Sequence, residues 1–521
     1  MFRLNSRPWR IAAFSVLMIV LLGGAFGVHA QTTAGVLRIG VVTPKVLDPS
    51  QGSNDSEVLF NRSIYDYLVE ALPDRSITPN LAKDWTISAD GLTYTFNLQE
   101  GVKFHDGSDF SSADVVFTFN RLISLKSPAL DILGEFEVSA PDAKTVVFTL
   151  KTPNADFLYG VSNRFALILK DGMDNPNVIG DGDNPYASFN GTGPFVLTSY
   201  DSAAGKAVLT KNANYWKEGQ PLLDSVEFVF IDDPATQVQA LRGGQVDFIY
   251  KISLNQVSAL QGDSTISVIQ KATNQHPVIR LRTDEGPGKD VKVRQAFKLA
   301  TDRQLLNEQV LDGQGIVGNN DPIGPSFGVF YDSMLVNPGY DPGAACDLLT
   351  EAGYPDGIEV TLVTPIVLGY DTDLAPALKD QWEESAGCIK VNEIQTVSEG
   401  DYYNNDFPNN WLVADLAITP WSDQPTAQSY LVQAYKTGGV YNETRWSDPD
   451  LDKLIDQAGV TTDATERAKI YNQISDIFNE RGPIIIPWFA PIFGATSTKV
   501  QGLDFAPFPG LTDLRGVSVS A

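Results

Sequence analysis

Cysteine and histidine are nearly missing from this chain: 521 residues hold Cys 2 and His 3. That supply is too small for a zinc site built from the usual nitrogen and sulfur ligands, which argues against a metalloenzyme of the zinc type. Basic residues are scarce beside acids, 38 Lys and Arg against 64 Asp and Glu, for a formal charge of −26. So acidic a chain cannot neutralise phosphates, and nucleic acid is excluded as a partner. The charge itself has two readings, a cleft that favours cationic groups or a solubilising surface. Beyond the first thirty residues no stretch approaches the roughly 20 apolar residues a membrane span needs. Also missing are a GxSxG elbow, an HExxH pair, a P-loop, and any fixed-period repeat. A secreted glycosidase would need paired carboxylates, but among 64 acids some pair always exists, so that signal carries no weight.

What is present begins with an export signal. Arg3, Arg7 and Arg10 precede an apolar run from Ile11 to about Phe26, and Val28-His29-Ala30 offers small residues for a signal peptidase. Cleavage is expected after Ala30, with a retained anchor as the alternative. No cysteine follows the run, so lipid attachment is not expected. An exported chain meets an oxidising compartment, and Cys346 with Cys388 invites a disulfide; two buried thiols are the alternative. The loop of roughly 40 residues between them would contribute about 3–4 kcal/mol if closed. At 43% hydrophobic and 20% charged, the remainder has material for two or three cores.

The stretch from Asn80 to Phe117 carries the clearest local pattern. Leu92, Tyr94, Phe96 and Leu98 alternate with Thr93, Thr95 and Asn97, the period of a half-buried strand, and Asp90-Gly91 supplies the turn before it. His105-Asp106-Gly107 makes a second turn. Ser111 with Asp114 predicts a helix cap, followed by Val115, Phe119 and Leu122 on one face. Upstream, VLRIGVV from Val36 reads as a first buried strand ending at Thr43-Pro44. Asp341, Pro342 and Gly353 mark the cap, first turn and exit of one helix. Asp463, Glu466 and Gly482-Pro483 bound another, with Ile470, Ile474, Ile477 and Phe478 along its face. Ile484-Ile485-Ile486 predicts a buried strand. Lys170 to Ala187 is a loop whose Asp171, Asp174, Asp181 and Asp183 lack the order of a calcium-binding EF-hand, which favours plain solvation. Gly313 to Gly318 spells a dinucleotide fingerprint but follows a helix instead of a strand, so a phosphate has no helix start to meet.

Taken in order along residues 36–490, these segments resemble the bacterial extracellular solute-binding proteins of the oligopeptide, dipeptide and nickel type, family 5. The resemblance rests on Asn80 to Phe117, the turn Asn190 to Phe195, the Tyr215-Trp216 pair, Gly243-Gly244 before Val246-Asp247, and the run from Glu466 to Phe489. It implies an α/β, bilobed periplasmic-binding-protein-like fold, type II in its large form, with an extra domain inserted in the N-terminal lobe. The implied division is 1–30 signal peptide; 31–58, 188–272 and 482–521 as lobe 1; 59–187 as the inserted domain; and 273–481 as lobe 2. It also implies the solute-binding component of an ABC importer: periplasmic, monomeric, not an enzyme, without a cofactor, partnered by a small-molecule or short-peptide ligand and an inner-membrane permease.

In peptide-binding relatives an extended ligand lies between main-chain segments of the two lobes, and a second-lobe carboxylate takes its amino group. The matching segment is Leu416 to Leu431, with Trp421 as an apolar or cation-π wall and Asp423 as the charge for an ammonium or guanidinium. The plainer reading makes Trp421 a core residue and Asp423 a surface turn. Thr43 and Pro44 are the first-lobe counterpart. After the Trp this chain reads Ser-Asp-Gln-Pro, a departure from the relatives' pattern at the amino-terminus anchor. Arg280 and Arg282 stand where other members often carry an Asn; they either meet a ligand carboxylate as a planar fork or pair with Asp284, Glu285 or Asp302. Tyr402, Tyr403, Asn442 and Trp446 complete the expected lining. The expected cargo is a peptide-like or other small zwitterionic or cationic solute, with a sugar, metal chelate or haem as the alternative and a secreted hydrolase as the rival class.

Overall fold

Tyr94, Phe96 and Leu98 point inward from the strand Thr93–Leu98 while the residues between them are half-buried, so the period of two along the chain becomes one face of a sheet. The computed structural model describes residues 35–335, 339–366, 371–385 and 387–520, and the expected signal segment, with its cut after Ala30, lies outside them. The inward face packs on the helix Ser112–Ser124, whose start is held where Asp114 accepts from the Ser111 amide at 2.7 Å. Phe119, Phe148 and Phe157 meet there edge to face, with ring centroids 4.8 and 5.3 Å apart. Such pairs each contribute about 0.5–1.5 kcal/mol beyond the area they bury.

Among the described residues this four-stranded sheet runs Ala82–Ile87, Thr93–Leu98, Thr145–Leu150, Phe136–Asp142. A seven-stranded sheet runs Ile266–Lys271, Ile492–Ser497, Phe248–Tyr250, Val36–Val41, Ser225–Phe230, Lys206–Lys211, Phe195–Asp201. Val36–Val41 is its centre, parallel to Ser225–Phe230 from Val36 opposite Ser225 to Val41 opposite Phe230. Buried on both faces, it is almost continuously apolar. A five-stranded sheet runs Ile389–Ser398, Ile358–Ile366, Leu416–Trp421, His276–Leu281, Ile484–Ile485, with separate apolar cores on its two faces.

Two expected boundaries are corrected. The division at 58/59 cuts through the helix Asp55–Ile64, whose Leu59, Phe60 and Ile64 pack with Leu37, Phe195 and Phe228 in the core of the seven-stranded sheet. The chain also returns to the first sheet later than 482, because Ile484–Ile485 pairs with His276–Leu281. Cys346 and Cys388 are bonded, with Cα atoms 5.7 Å apart, tying the helix Pro342–Glu351 to the entry of Ile389–Ser398. Gly313 to Gly318 is not a phosphate cradle: Ile316–Val317 pairs with Trp488–Phe489, and a Cβ on Gly318 would lie 2.1 Å from the Ile486 carbonyl. Among the described residues no helix is long and apolar enough to cross a membrane.

One buried carboxyl makes the fold sensitive to pH. Asp321 has no exposed surface and accepts from the Ile323 amide at 2.8 Å. Burial pushes its pKa up to about 8, with Asp332 adding to the rise. The folded chain then holds a proton that the unfolded chain releases near pH 4, so this group's contribution falls as pH climbs from about 4 to about 8. Asp321→Asn, which keeps the acceptor and does not titrate, is expected to gain over the parent in urea midpoint as pH rises from 5 to 8. Parallel curves for the two proteins would contradict the assignment.

Candidate functional site

The strand Leu416–Trp421 is paired along its length with His276–Leu281, from His276 opposite Trp421 to Leu281 opposite Leu416, whereas its pairing with Ile358–Ile366 is confined to Val363 opposite Ala417. Beyond Ala417 it runs to the rim of a cavity of about 930 Å³ lined by Thr419, Pro420 and Trp421. That volume lies within the span of about 300–1,000 Å³ common to small-molecule sites. Four rings follow one another along the wall. Tyr403 and Trp411 have centroids 5.8 Å apart, Trp411 and Tyr441 6.2 Å, and Tyr441 and Trp421 6.0 Å. Gln424, Gln428 and Gln433 also line the cavity, as do Asp131, Ile132, Gly134, Asn154 and Asp156.

Arg280 holds that wall in place. Its side chain has no exposed surface, and its Nε donates to Glu443 Oε2 at 3.0 Å. The two terminal nitrogens donate to the carbonyls of Ala414 at 2.7 Å and Trp411 at 2.6 Å. Glu443 also accepts from Thr419 Oγ1 at 2.7 Å. Burial pushes the Glu443 carboxyl upward, and the guanidinium beside it pulls the other way. Asp156 is paired with Arg467 at 2.6 Å, so both buried wall carboxylates carry their own cations. The cavity thus offers ring faces and amides more than free charge.

Family 5 of the bacterial extracellular solute-binding proteins, in its middle part, matches residues 76–442. The chain belongs to this family. It is 28% identical over 488 residues to heme-binding protein A of Haemophilus influenzae, covering 88% of this chain and 87% of the relative. It is 27% identical over 552 residues to di/tripeptide-binding protein 1 of Pseudomonas aeruginosa, covering 97% and 98%. The structure of HbpA2 from Haemophilus parasuis matches with a TM-score of 0.80 at 25% identity, covering 94% of this chain and 100% of that one. The family 5 protein described here therefore has the bilobed type II binding fold and is a solute-binding component of an ABC importer.

The expected site residues divide. Trp421 and Tyr403 line the cavity. Asp423 does not stand ready for a ligand cation, because Arg75 donates to both of its oxygens at 2.7 and 2.9 Å. Arg282 is taken by Asp284 at 2.6 Å and Glu285 at 3.6 Å. Arg280 pairs with Glu443 instead of any of its three expected partners. Asn442 is spent on a turn, donating to the Trp446 carbonyl at 2.7 Å and accepting from Thr444 Oγ1 at 3.0 Å. Thr43 donates its amide to Asp232 at 2.8 Å, and neither it nor Pro44 lines the cavity. Tyr402 and Trp446 are core residues.

Sequence reasoning missed Trp411, Tyr441 and Glu443, although the Trp and Tyr were readable as aromatic residues near the expected segment. Outside the lining of the cavity, Arg164 lies 5.0 Å from the Phe165 ring centroid and 5.1 Å from that of Phe508. No hydrogen-bond or ion-pair partner reaches its guanidinium among the described residues. Lys251 approaches the same Phe508 ring, holds a left-handed backbone at φ 56°, and pairs with Asp55 at 2.5 Å.

Arg280→Met should cost about 3–5 kcal/mol, because it leaves the Glu443 charge buried without its partner. Urea unfolding followed by circular dichroism measures this. A loss below about 1 kcal/mol would show that the pair does not hold the wall.

Proposed function

We propose that this binding protein captures a small peptide-like solute whose apolar or aromatic side group enters the four-ring cavity. The observation that carries the reading is the unbroken series Tyr403, Trp411, Tyr441 and Trp421 in a cavity that Gln424, Gln428 and Gln433 also line. Rings take flat or apolar groups by stacking, and primary amides match the donors and acceptors of a peptide backbone. Closure works by population shift: a solute that touches two parts of the protein at once favours the shut form, which the permease reads. The chain is exported, loses its signal after Ala30, acts in the periplasm as a monomer, and leaves its cargo unaltered.

The test is isothermal titration with di- and tripeptides carrying Phe, Tyr or Trp, repeated with Trp421→Ala. Trp421 is partly exposed, so its loss should leave the melting temperature nearly unchanged while weakening peptide binding about tenfold or more. The bound peptide should be recovered intact. Saturable binding of a sugar or of haem, with no peptide bound, would replace this reading; turnover of the peptide would end it.

A further inference from the structure

Arg75 sits in an awkward backbone conformation, and both terminal nitrogens of its side chain are engaged. It occupies the tip of the hairpin between Val69–Ala71 and Ile77–Pro79, with φ at 67°, a region that favours glycine. From there its guanidinium reaches the segment that follows Trp421. One terminal nitrogen grips Asp423, and the other donates to the carbonyls of Gln424 at 2.7 Å and Pro425 at 3.0 Å. The group lies 4.5 Å from the centre of the Phe327 ring, and the Arg75 carbonyl accepts from Tyr159 at 2.7 Å. Asp423 accepts in addition from the Asn274 amide at 2.7 Å. Its side chain is 15% exposed and that of Arg75 12%. A glycine would satisfy the turn without strain, so what the arginine adds is a cation placed on this carboxylate.

We infer that Arg75 is a specificity-determining residue, a built-in counter-cation that fills Asp423 and so directs the site toward solutes with no ammonium group at that point. Ser422 and Gln424, on either side of Asp423, line the cavity, so a solute lodged against Trp421 comes close to the carboxylate. A ligand ammonium arriving there must expel a guanidinium that is stacked and hydrogen-bonded four ways. An amino-blocked or neutral group meets no such obstacle. The inference takes only its ligand class from the peptide-like reading of the cavity; the occupied carboxylate stands without it.

Arg75→Gly removes the cation and relaxes the left-handed turn. Arg75→Gln, which keeps hydrogen-bonding capacity without charge, serves if the glycine loosens the hairpin. Two probes are titrated into the parent, into each single variant and into Arg75→Gly/Asp423→Asn: a Phe-containing tripeptide beside its N-acetylated twin, and ethylguanidinium chloride with sodium chloride as control. The parent should bind the twins about equally and ignore ethylguanidinium. Arg75→Gly should prefer the free-amino tripeptide about tenfold or more and bind ethylguanidinium, and Asp423→Asn in the double variant should abolish both gains. If no variant binds either tripeptide while ethylguanidinium binds Arg75→Gly alone, the peptide reading falls and the counter-cation role stands. A natively folded Arg75→Gly with an unchanged twin ratio and no uptake of ethylguanidinium overturns the inference.

Discussion

A single buried cation organises the wall on which the rest of the site depends. Arg280 starts from the strand His276–Leu281 and ties the turn that holds Trp411 and Ala414 to Glu443, which the chain brings in from a second segment. Removing a guanidinium from water costs several kcal/mol, and charged hydrogen bonds to a carboxylate and two carbonyls offset that cost only if all are formed together. The arrangement therefore contributes more to position than to net stability. Arg280 holds the backbone at Trp411 and Ala414 and the carboxylate of Glu443, which in turn accepts from Thr419, so Trp411, Thr419 and Glu443 come to line one cavity.

The same principle governs the charge of the site. A formal charge of −26 invites the expectation of an acidic, cation-seeking cleft. Instead the carboxylates at and beside the cavity have arginines of their own: Glu443 has Arg280, Asp156 has Arg467, and Asp423 has Arg75. Net charge therefore describes the solvated surface, where exposed acids are weakly coupled and screened. The cavity is left with ring faces and amides.

Local structure was legible wherever neighbours in sequence decide it. The alternation from Tyr94 to Leu98, the Asp341 and Asp463 caps and the buried run at Ile484 all concern contacts within a few residues. The cut expected at 58/59 falls inside the helix Asp55–Ile64, which packs on the seven-stranded sheet through contacts distant in sequence. The site was half legible. Trp421 and Tyr403 were readable as aromatic residues that could line a cavity, and so were Tyr402 and Trp446, which are core residues. Arg75 was not, since it stands 348 positions from Asp423 and its hairpin reads as an ordinary polar turn. Arg280 was singled out for its charge and given the wrong partners, because Glu443 approaches it from 163 residues away. Pairings of that span belong to tertiary structure and leave no local periodicity to read.

The central claim is that this protein holds one small solute between its parts and gives it back unchanged. Native mass spectrometry of protein purified from its source without denaturation tests that most directly. The account predicts a one-to-one adduct whose solute, once released and rebound, keeps the same mass through prolonged incubation. Conversion of the solute to products, or the absence of a one-to-one adduct with any peptide, sugar or tetrapyrrole supplied, would contradict it.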